Sequence, residues 1–338
     1  MRRWAWRGRI RVMPDNAVLE RALTAADPAR TPRDAQPDAR AIATRDRILR
    51  SSRAPQRHRV RTVGWATGLT AVAASAALAF GVLLPQGAAV AGTPSPLAYE
   101  GARSLADTVA TADTDLSVFH EPETPERSVR TASWSFSVDV DAGHAEIVPQ
   151  LSTFEWSDDL SGEAISINGV AYDPGDAVAN QDAEVVSTGE VAAHVTFAPG
   201  EFQTPVVALP GESPAEVRAL LEAFGLPKDP SAFDVVTAIT SVFGQWTLTN
   251  AQHAELLALI EQSGGAQALG TSTDRLGRPV AGIRVIAADG VVSDDVLVSL
   301  DSGRIIGVER TVLVDDGIVA PGSITDYRMW DLDEEMIE

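Results

Sequence analysis

Hydrophobic positions along the chain change their period from one region to the next. Val63–Leu84 (VGWATGLTAVAASAALAFGVLL) is an apolar run of 22 residues with no charge and no proline. At 1.5 Å per residue a helix of this length spans roughly 33 Å, enough for a hydrocarbon core of about 30 Å. From Ala132 the period becomes two. Ala132, Trp134, Phe136, Val138 and Val140 alternate with Ser133, Ser135, Ser137 and Asp139, which predicts a half-buried antiparallel strand. Asp141-Ala142-Gly143 supplies a turn, and the return strand runs over Ile147–Trp156, with Pro149 marking an edge or bulge. Glu163–Tyr172 and Val191–Phe197 continue the alternation.

Helical signals interrupt this pattern. A short helix is expected around Ser104–Ala112, ahead of the strands. Within 213–263, Ser213, Pro214 and Glu216 form a capping box with proline at the first helical position, and Gly225 and Pro227 stop the helix. A second helix is predicted from Ser231 to Phe243 and a third from Asn250 to Gln262, stopped by Gly264-Gly265. Strands then resume near Ala268–Thr273, Val280–Ala287, Val296–Leu300, Ile305–Val314 and Ile324–Met329, separated by Asp/Gly turns. The expected fold is α+β: a single transmembrane helix followed by an antiparallel meander of about nine strands with a helical insertion. Helices covering one face of a curved sheet predict a half-barrel.

Charge sharpens the domain plan. The net charge of −20 divides into +10 for residues 1–84, with sixteen Arg against six acids, and −30 for residues 85–338, with eleven basic residues against 41 acids. Arg53, Arg57, Arg59 and Arg61 abut the start of the apolar run, and no basic residue follows it until Arg103. By the positive-inside rule the N-terminus is cytoplasmic and the larger part lies outside the plasma membrane. The plan is therefore a basic cytoplasmic segment with two short helices (1–62), a transmembrane helix (63–84), a Pro/Gly/Ala stalk (85–103), an extracytoplasmic α+β domain (104–330) and an acidic tail (331–338). Met1 and Met13 are both candidate starts. Ala89-Val90-Ala91 has the small residues of a signal-peptide cleavage site, but at least 50 residues precede the apolar run, which favours an uncleaved anchor.

Little of the chain reads as chemistry. A net charge of −30 disfavours nucleic acid as a partner of the outer domain. The absence of cysteine removes disulfides, zinc–thiolate sites and thiol nucleophiles. Asp139-Val140-Asp141-Ala142-Gly143 begins like a calcium loop, but the glycine comes one position early and Gln150 stands where a bidentate Glu is needed. Leu300-Asp301-Ser302-Gly303 has the letters of an aspartic-protease signature in a single copy, and reads as a hairpin turn. His58, His120, His144, His194 and His253 show no metal-ligand spacing, and His194 falls on the polar face of its strand. Asp158-Asp159, Asp294-Asp295, Asp315-Asp316 and the acids of the tail read as solvated turns and a solvated terminus. No catalytic residue, cofactor or metal is assigned. The candidate binding residues are Trp134, Phe136, Phe154, Trp156 and Trp246, aromatics able to line an apolar cavity between sheet and helices.

Four motifs carry a resemblance. They are Arg130, Ser133 and Trp134 at the first strand; Leu209-Pro210 with the Pro214–Leu221 helix; Thr273–Val280 (TDRLGRPV); and Ser302–Leu313 (SGRIIGVERTVL) closed by Pro321–Tyr327. Together they resemble an uncharacterised actinobacterial family of single-pass membrane proteins often encoded beside extracytoplasmic-function sigma factors. The strand–helix–strand order more loosely resembles the half-barrel of bacterial lipoprotein carriers and of a periplasmic regulator of anti-sigma factors. The family has no established activity to carry over. Topology and the absence of a catalytic constellation predict a membrane-anchored, non-catalytic binding or sensor protein, and the resemblance alone adds a cytoplasmic sigma factor or other regulatory protein as candidate partner. A lipid- or lipoprotein-handling module of the cell envelope is the alternative, with lipid as its candidate ligand.

Overall fold

The computed structural model describes residues 96–101, 103–118, 122–139, 144–172, 185–314 and 321–332, with 135–139 and 144–147 described in their backbone alone. The expected apolar span, the two cytoplasmic helices, the Asp141–Gly143 turn and Asp315-Asp316 lie outside the described residues. Among the described residues no helix is long and apolar enough to cross a membrane.

Among the described residues the fold is α+β, with one open antiparallel sheet and four helices. In chain order the elements are α1 (Leu105–Leu116), β1 (Ser128–Asp139), β2 (His144–Trp156), β3 (Gly162–Gly169), β4 (Ser187–Phe197), α2 (Pro214–Ala223), α3 (Ala232–Phe243), α4 (Asn250–Gln262), β5 (Gln267–Thr273), β6 (Pro279–Ile286), β7 (Val292–Ser299), β8 (Ile305–Val312) and β9 (Ile324–Met329). The strand order β4-β3-β2-β1-β9-β8-β7-β6-β5 is two meanders, β1–β4 and β5–β9, joined at the centre by β1 and β9. That seam is short, with Ala132 opposite Met329 and Ser133 opposite Arg328. The helical insertion α2–α4 connects the two edge strands.

The helices form where local chemistry and burial agree. Ser213 and Glu216 make the expected capping box on α2, and Ser231/Asp234 and Thr249/Gln252 make two more on α3 and α4. Each box satisfies helix N–H groups that would otherwise lack partners. Gly225, at φ 104°, ends α2 as the sequence predicts. Val235, Val236, Ile239, Val242 and Phe243 of α3 bury against Ile283, Val285, Val296, Val298, Ile305 and Val308 of the sheet. Leu256, Leu257 and Ile260 of α4 and Val217, Leu220 and Leu221 of α2 complete this core.

Alternation sends the other half of each strand to the face away from the helices. There Ala132, Trp134, Leu151, Ile324, Tyr327 and Met329 form a second cluster, and Val280, Leu297 and Ile306 a third. This far face is also covered. Leu97 and Tyr99 pack on the third cluster, and Leu276 on the second. The packed domain therefore begins earlier than the expected boundary at 104: residues 96–101, expected in the stalk, pair with β5 through Glu100 and Thr271, whose two backbone hydrogen bonds are both 2.8 Å. At the other end Leu332 is buried and Asp331 is held by Arg304, so the domain runs past the expected limit at 330.

Gly303 shows how tightly the turns dock. It has φ 73°, and a Cβ there would sit 2.2 Å from the Ala112 carbonyl oxygen of α1. Gly277 has φ 79° but open space around it. Gly277→Ala is expected to cost about 1 kcal/mol from the left-handed backbone alone, and Gly303→Ala about 2–4 kcal/mol, because the helix must also shift. Urea denaturation of the two variants checks the difference.

Candidate functional site

The five aromatic residues do not converge on one cavity. Phe154, Trp156 and Trp246 lie on the helix side and touch one another or a shared neighbour. Trp156 and Trp246 meet edge to face at 4.9 Å, and Phe202 lies 5.0 Å from Phe154 and 5.2 Å from Trp156. The Arg127 guanidinium stacks between the two indoles, 5.1 and 5.3 Å from their centroids, and donates to the Val207 carbonyl. Trp156 Nε1 donates to the Gln245 carbonyl at 2.8 Å. These rings fill space with one another; the small void of about 10 Å³ beside Trp246 holds no more than a water. Trp134 lies on the far face. Phe136 pairs with Ile147 in the β1–β2 ladder, and its side chain lies outside the described residues.

A larger depression of about 470 Å³ opens at the ends of α1 and α4. Asp113, Glu123 and Glu212 line it with Leu116 and Ala254, and Glu212 Oε1 accepts from the Thr249 hydroxyl at 2.8 Å. Three carboxylates would repel an anionic ligand, yet no group of three metal-ligating side chains occurs among the described residues. Asp301 is exposed in its turn, with its N–H 3.2 Å from the Ser299 hydroxyl, as a hairpin reading requires. His194 is half-exposed beside Glu163, 2.5 Å away.

The unexpected chemistry is buried charge. Asp294 and Asp295, expected in a solvated turn, stand inside β7 with side chains 1% exposed. Because strand side chains alternate, the two acids face opposite sides. Asp294 faces the helices and binds Arg310 of β8 through two hydrogen bonds of 2.7 and 2.8 Å, with the guanidinium stacked 5.6 Å over Phe233. Asp295 faces away and binds Arg284 of β6 through two of 2.7 Å. The paired acids hold both arginines above the usual guanidinium range.

On the far face, Arg284, Asp295, Glu309 and Tyr327 are successive cross-strand neighbours on β6, β7, β8 and β9. Glu309 is 2% exposed. Its Oε2 accepts from Arg275 of the β5–β6 turn at 2.9 and 2.7 Å, and its Oε1 accepts from the Leu97 N–H at 3.2 Å. Arg275 stacks 5.6 Å over Trp134 and 5.7 Å over Tyr327, and Tyr172 packs edge-on against Trp134. A guanidinium is thus enclosed by aromatic rings and neutralised by one carboxylate. Burial pushes the Glu309 carboxyl up, opposed by Arg275. Burial also pushes the Tyr99, Tyr172 and Tyr327 phenols up, Tyr99 further through Asp295, so all three stay protonated at neutral pH.

A second network ties β8 to the helices. Arg304 donates to Asp331 at 2.5 Å, to Asn250 Oδ1 at 2.7 Å and to the Leu248 carbonyl at 3.0 Å. His253 Nδ1 accepts the Ile305 N–H at 3.1 Å. Arg278 is bound to Asp274 and donates to the Trp330 carbonyl at 2.7 Å. Asp274, Arg275, Arg278, Arg304, Glu309 and Arg310 all belong to the two C-terminal motifs that carry the resemblance, and each has a structural partner. The signal in the sequence was charged residues within apolar alternation, such as Glu309 between Val308 and Val312.

No protein-family model, no curated protein and no solved structure matches the chain.

Arg275→Met removes the cation beside a buried carboxylate and is expected to cost about 3–5 kcal/mol at pH 7, while Arg275→Met with Glu309→Leu recovers most of that loss. Chemical denaturation of the single and double variants measures it. His253 gives a pH signature. Burial, with Arg304 nearby, holds its imidazole well below the ordinary value, so the unfolded chain binds a proton that the folded chain refuses. Stability conferred by neutral His253 is present above about pH 6.5 and falls as pH drops through that value. In His253→Leu the decline between pH 6.5 and 5 flattens by up to about 1.4 kcal/mol per pH unit, against a loss at pH 7 of about 1–3 kcal/mol from the unpaired Ile305 N–H. Urea titrations at the two pH values check this.

Proposed function

We propose that the chain is a membrane-anchored, non-catalytic binding or sensor protein, with its α+β domain outside the plasma membrane and its basic N-terminal segment in the cytoplasm. The anchor and its orientation rest on the charge-free apolar run with its basic flank, and the observation that carries the sensor reading is the capture of residues 96–101 by the sheet. Eleven residues (85–95) separate the apolar run from a segment bonded to β5 and Glu309. At no more than about 3.6 Å each, they keep the start of the domain within about 40 Å of the end of the span. A domain held this close and gripped through its first residues suits a device that passes the state of an outer domain to a membrane helix.

On this reading the sheet is a half-barrel with the helices over one face, and the depression beside α1 and α4 is the candidate ligand site. Its three carboxylates and apolar floor favour a cationic ligand. The packing of Trp156 on Trp246, and of Phe154 and Trp156 on the shared neighbour Phe202, supports a sensor over a lipid carrier. The cytoplasmic segment engages a sigma factor or another regulatory protein, a role that rests on the four motifs named above.

Two measurements test the proposal. The full chain is expected to remain with membranes after carbonate extraction, and protease added to spheroplasts is expected to remove the C-terminal domain but spare residues 1–62. Release by carbonate, or protection of the C-terminal domain, overturns the topology. Separately, residues 1–62 are expected to co-purify a sigma factor encoded beside the gene; no association at micromolar concentration overturns that partner.

A further inference from the structure

The segment Pro96–Gly101 lies across the far face like a strap, and its docking is specific but slight. Gly270 and Gly282 make room for it. A Cβ on Gly270 would meet the Gly101 carbonyl oxygen at 2.1 Å, and one on Gly282 would meet the Tyr99 ring at 2.2 Å. The Ser272 hydroxyl donates to the Ala98 carbonyl at 2.7 Å. Yet the pairing with β5 is a single bridge, not a ladder. Ala98, Glu100 and Gly101 are exposed, and only Leu97 and Tyr99 join the small third cluster, apart from the main core. Segments with few buried apolar contacts open at low free energy while the core stays closed.

One residue connects this strap to the rest of the face. Glu309 binds the Leu97 N–H with one oxygen and Arg275 with the other. Arg275 belongs to the 274–278 turn, which is closed within itself by the Asp274 carboxylate and main chain and tied at its far end by Arg278 to the Trp330 and Ile306 carbonyls, while Arg275 ties it to Glu309. When the strap leaves, the carboxylate loses a donor and gains water on its open side, and the ion pair with Arg275 is screened.

We infer that the strap is a detachable latch, and that its release loosens the Arg275 turn through Glu309. Displacement of the membrane helix pulls on residue 96 and is read out at the aromatic enclosure of Arg275. The link to the membrane rests on the anchored topology proposed above; the latch itself rests on the geometry of residues 96–101.

The test is hydrogen exchange on the full chain in lipid vesicles. In the wild type the strap amides exchange at least about tenfold faster than those of Ile305–Val312. Tyr99→Ala and Gly282→Ala each weaken the docking, one from the strap and one from the sheet. Both raise exchange in the strap and in 274–278 by about tenfold and leave α2–α4 unchanged. Because the chain has no cysteine, Glu100→Cys with Thr271→Cys forms one defined disulfide across the bridge, and its oxidation slows exchange in both segments. Strap amides as protected as β8 in the wild type overturn the latch. So does a 274–278 turn that ignores all three variants. Vesicle flotation of the same samples separates the two claims: failure to float overturns the anchor and the pull from the membrane, and leaves the exchange result to decide the latch.

Discussion

A carboxylate buried in the middle of a β-sheet demands partners. Glu309 stands on β8 with almost no exposure, where an unpaired charge costs several kcal/mol. The sheet alone offers it none: its cross-strand neighbours on that face are Asp295, a like charge, and Tyr327. The partners have to come from above. Arg275 arrives from the β5–β6 turn and the Leu97 N–H from the segment before the first helix. The same requirement repeats one strand away, where Asp295 is satisfied by Arg284. Coverage of the far face follows from this. An open sheet with helices on one side leaves its other side to solvent, and here the strap and the 274–278 turn cover part of that side because they bring the donors.

The helix side follows ordinary rules. Apolar faces of α2, α3 and α4 bury against alternate residues of the sheet, and three capping boxes fix where the helices start. Arg304 and Arg278 then stitch the C-terminal end of β9 to β8 and α4. They lie near the seam where β1 meets β9 over only two residue pairs. Side-chain hydrogen bonds to main-chain carbonyls there do part of the work that a longer ladder would do.

Much of this was legible in the sequence. The period-two runs and Asp/Gly turns located every strand to within a few residues, and Ser213-Pro214 with Glu216 located α2 with its cap. Periodicity failed where it says nothing about partners. Asp294-Asp295 looked like a turn because two adjacent acids are usually solvated, yet alternation sends one to each face and each finds an arginine one strand away. Residues 96–101 read as a stalk because they continue the Pro/Gly/Ala-rich run that follows the apolar span; a single bridge leaves no periodic trace. Residue type groups Trp134 with Trp156 and Trp246, whereas the parity of its position on β1 places it on the opposite face. The charged residues of the TDRLGRPV and SGRIIGVERTVL motifs proved to be partners of one another and of the fold.

One carboxylate, Glu309, holds both the strap and the turn, and a double-mutant cycle measures that coupling. Leu97→Pro removes the N–H that Glu309 accepts, and Arg275→Met removes the cation. If Glu309 joins them, the two losses in unfolding free energy differ from their sum in the double variant by at least about 0.5 kcal/mol. Additivity within about 0.3 kcal/mol would contradict the account.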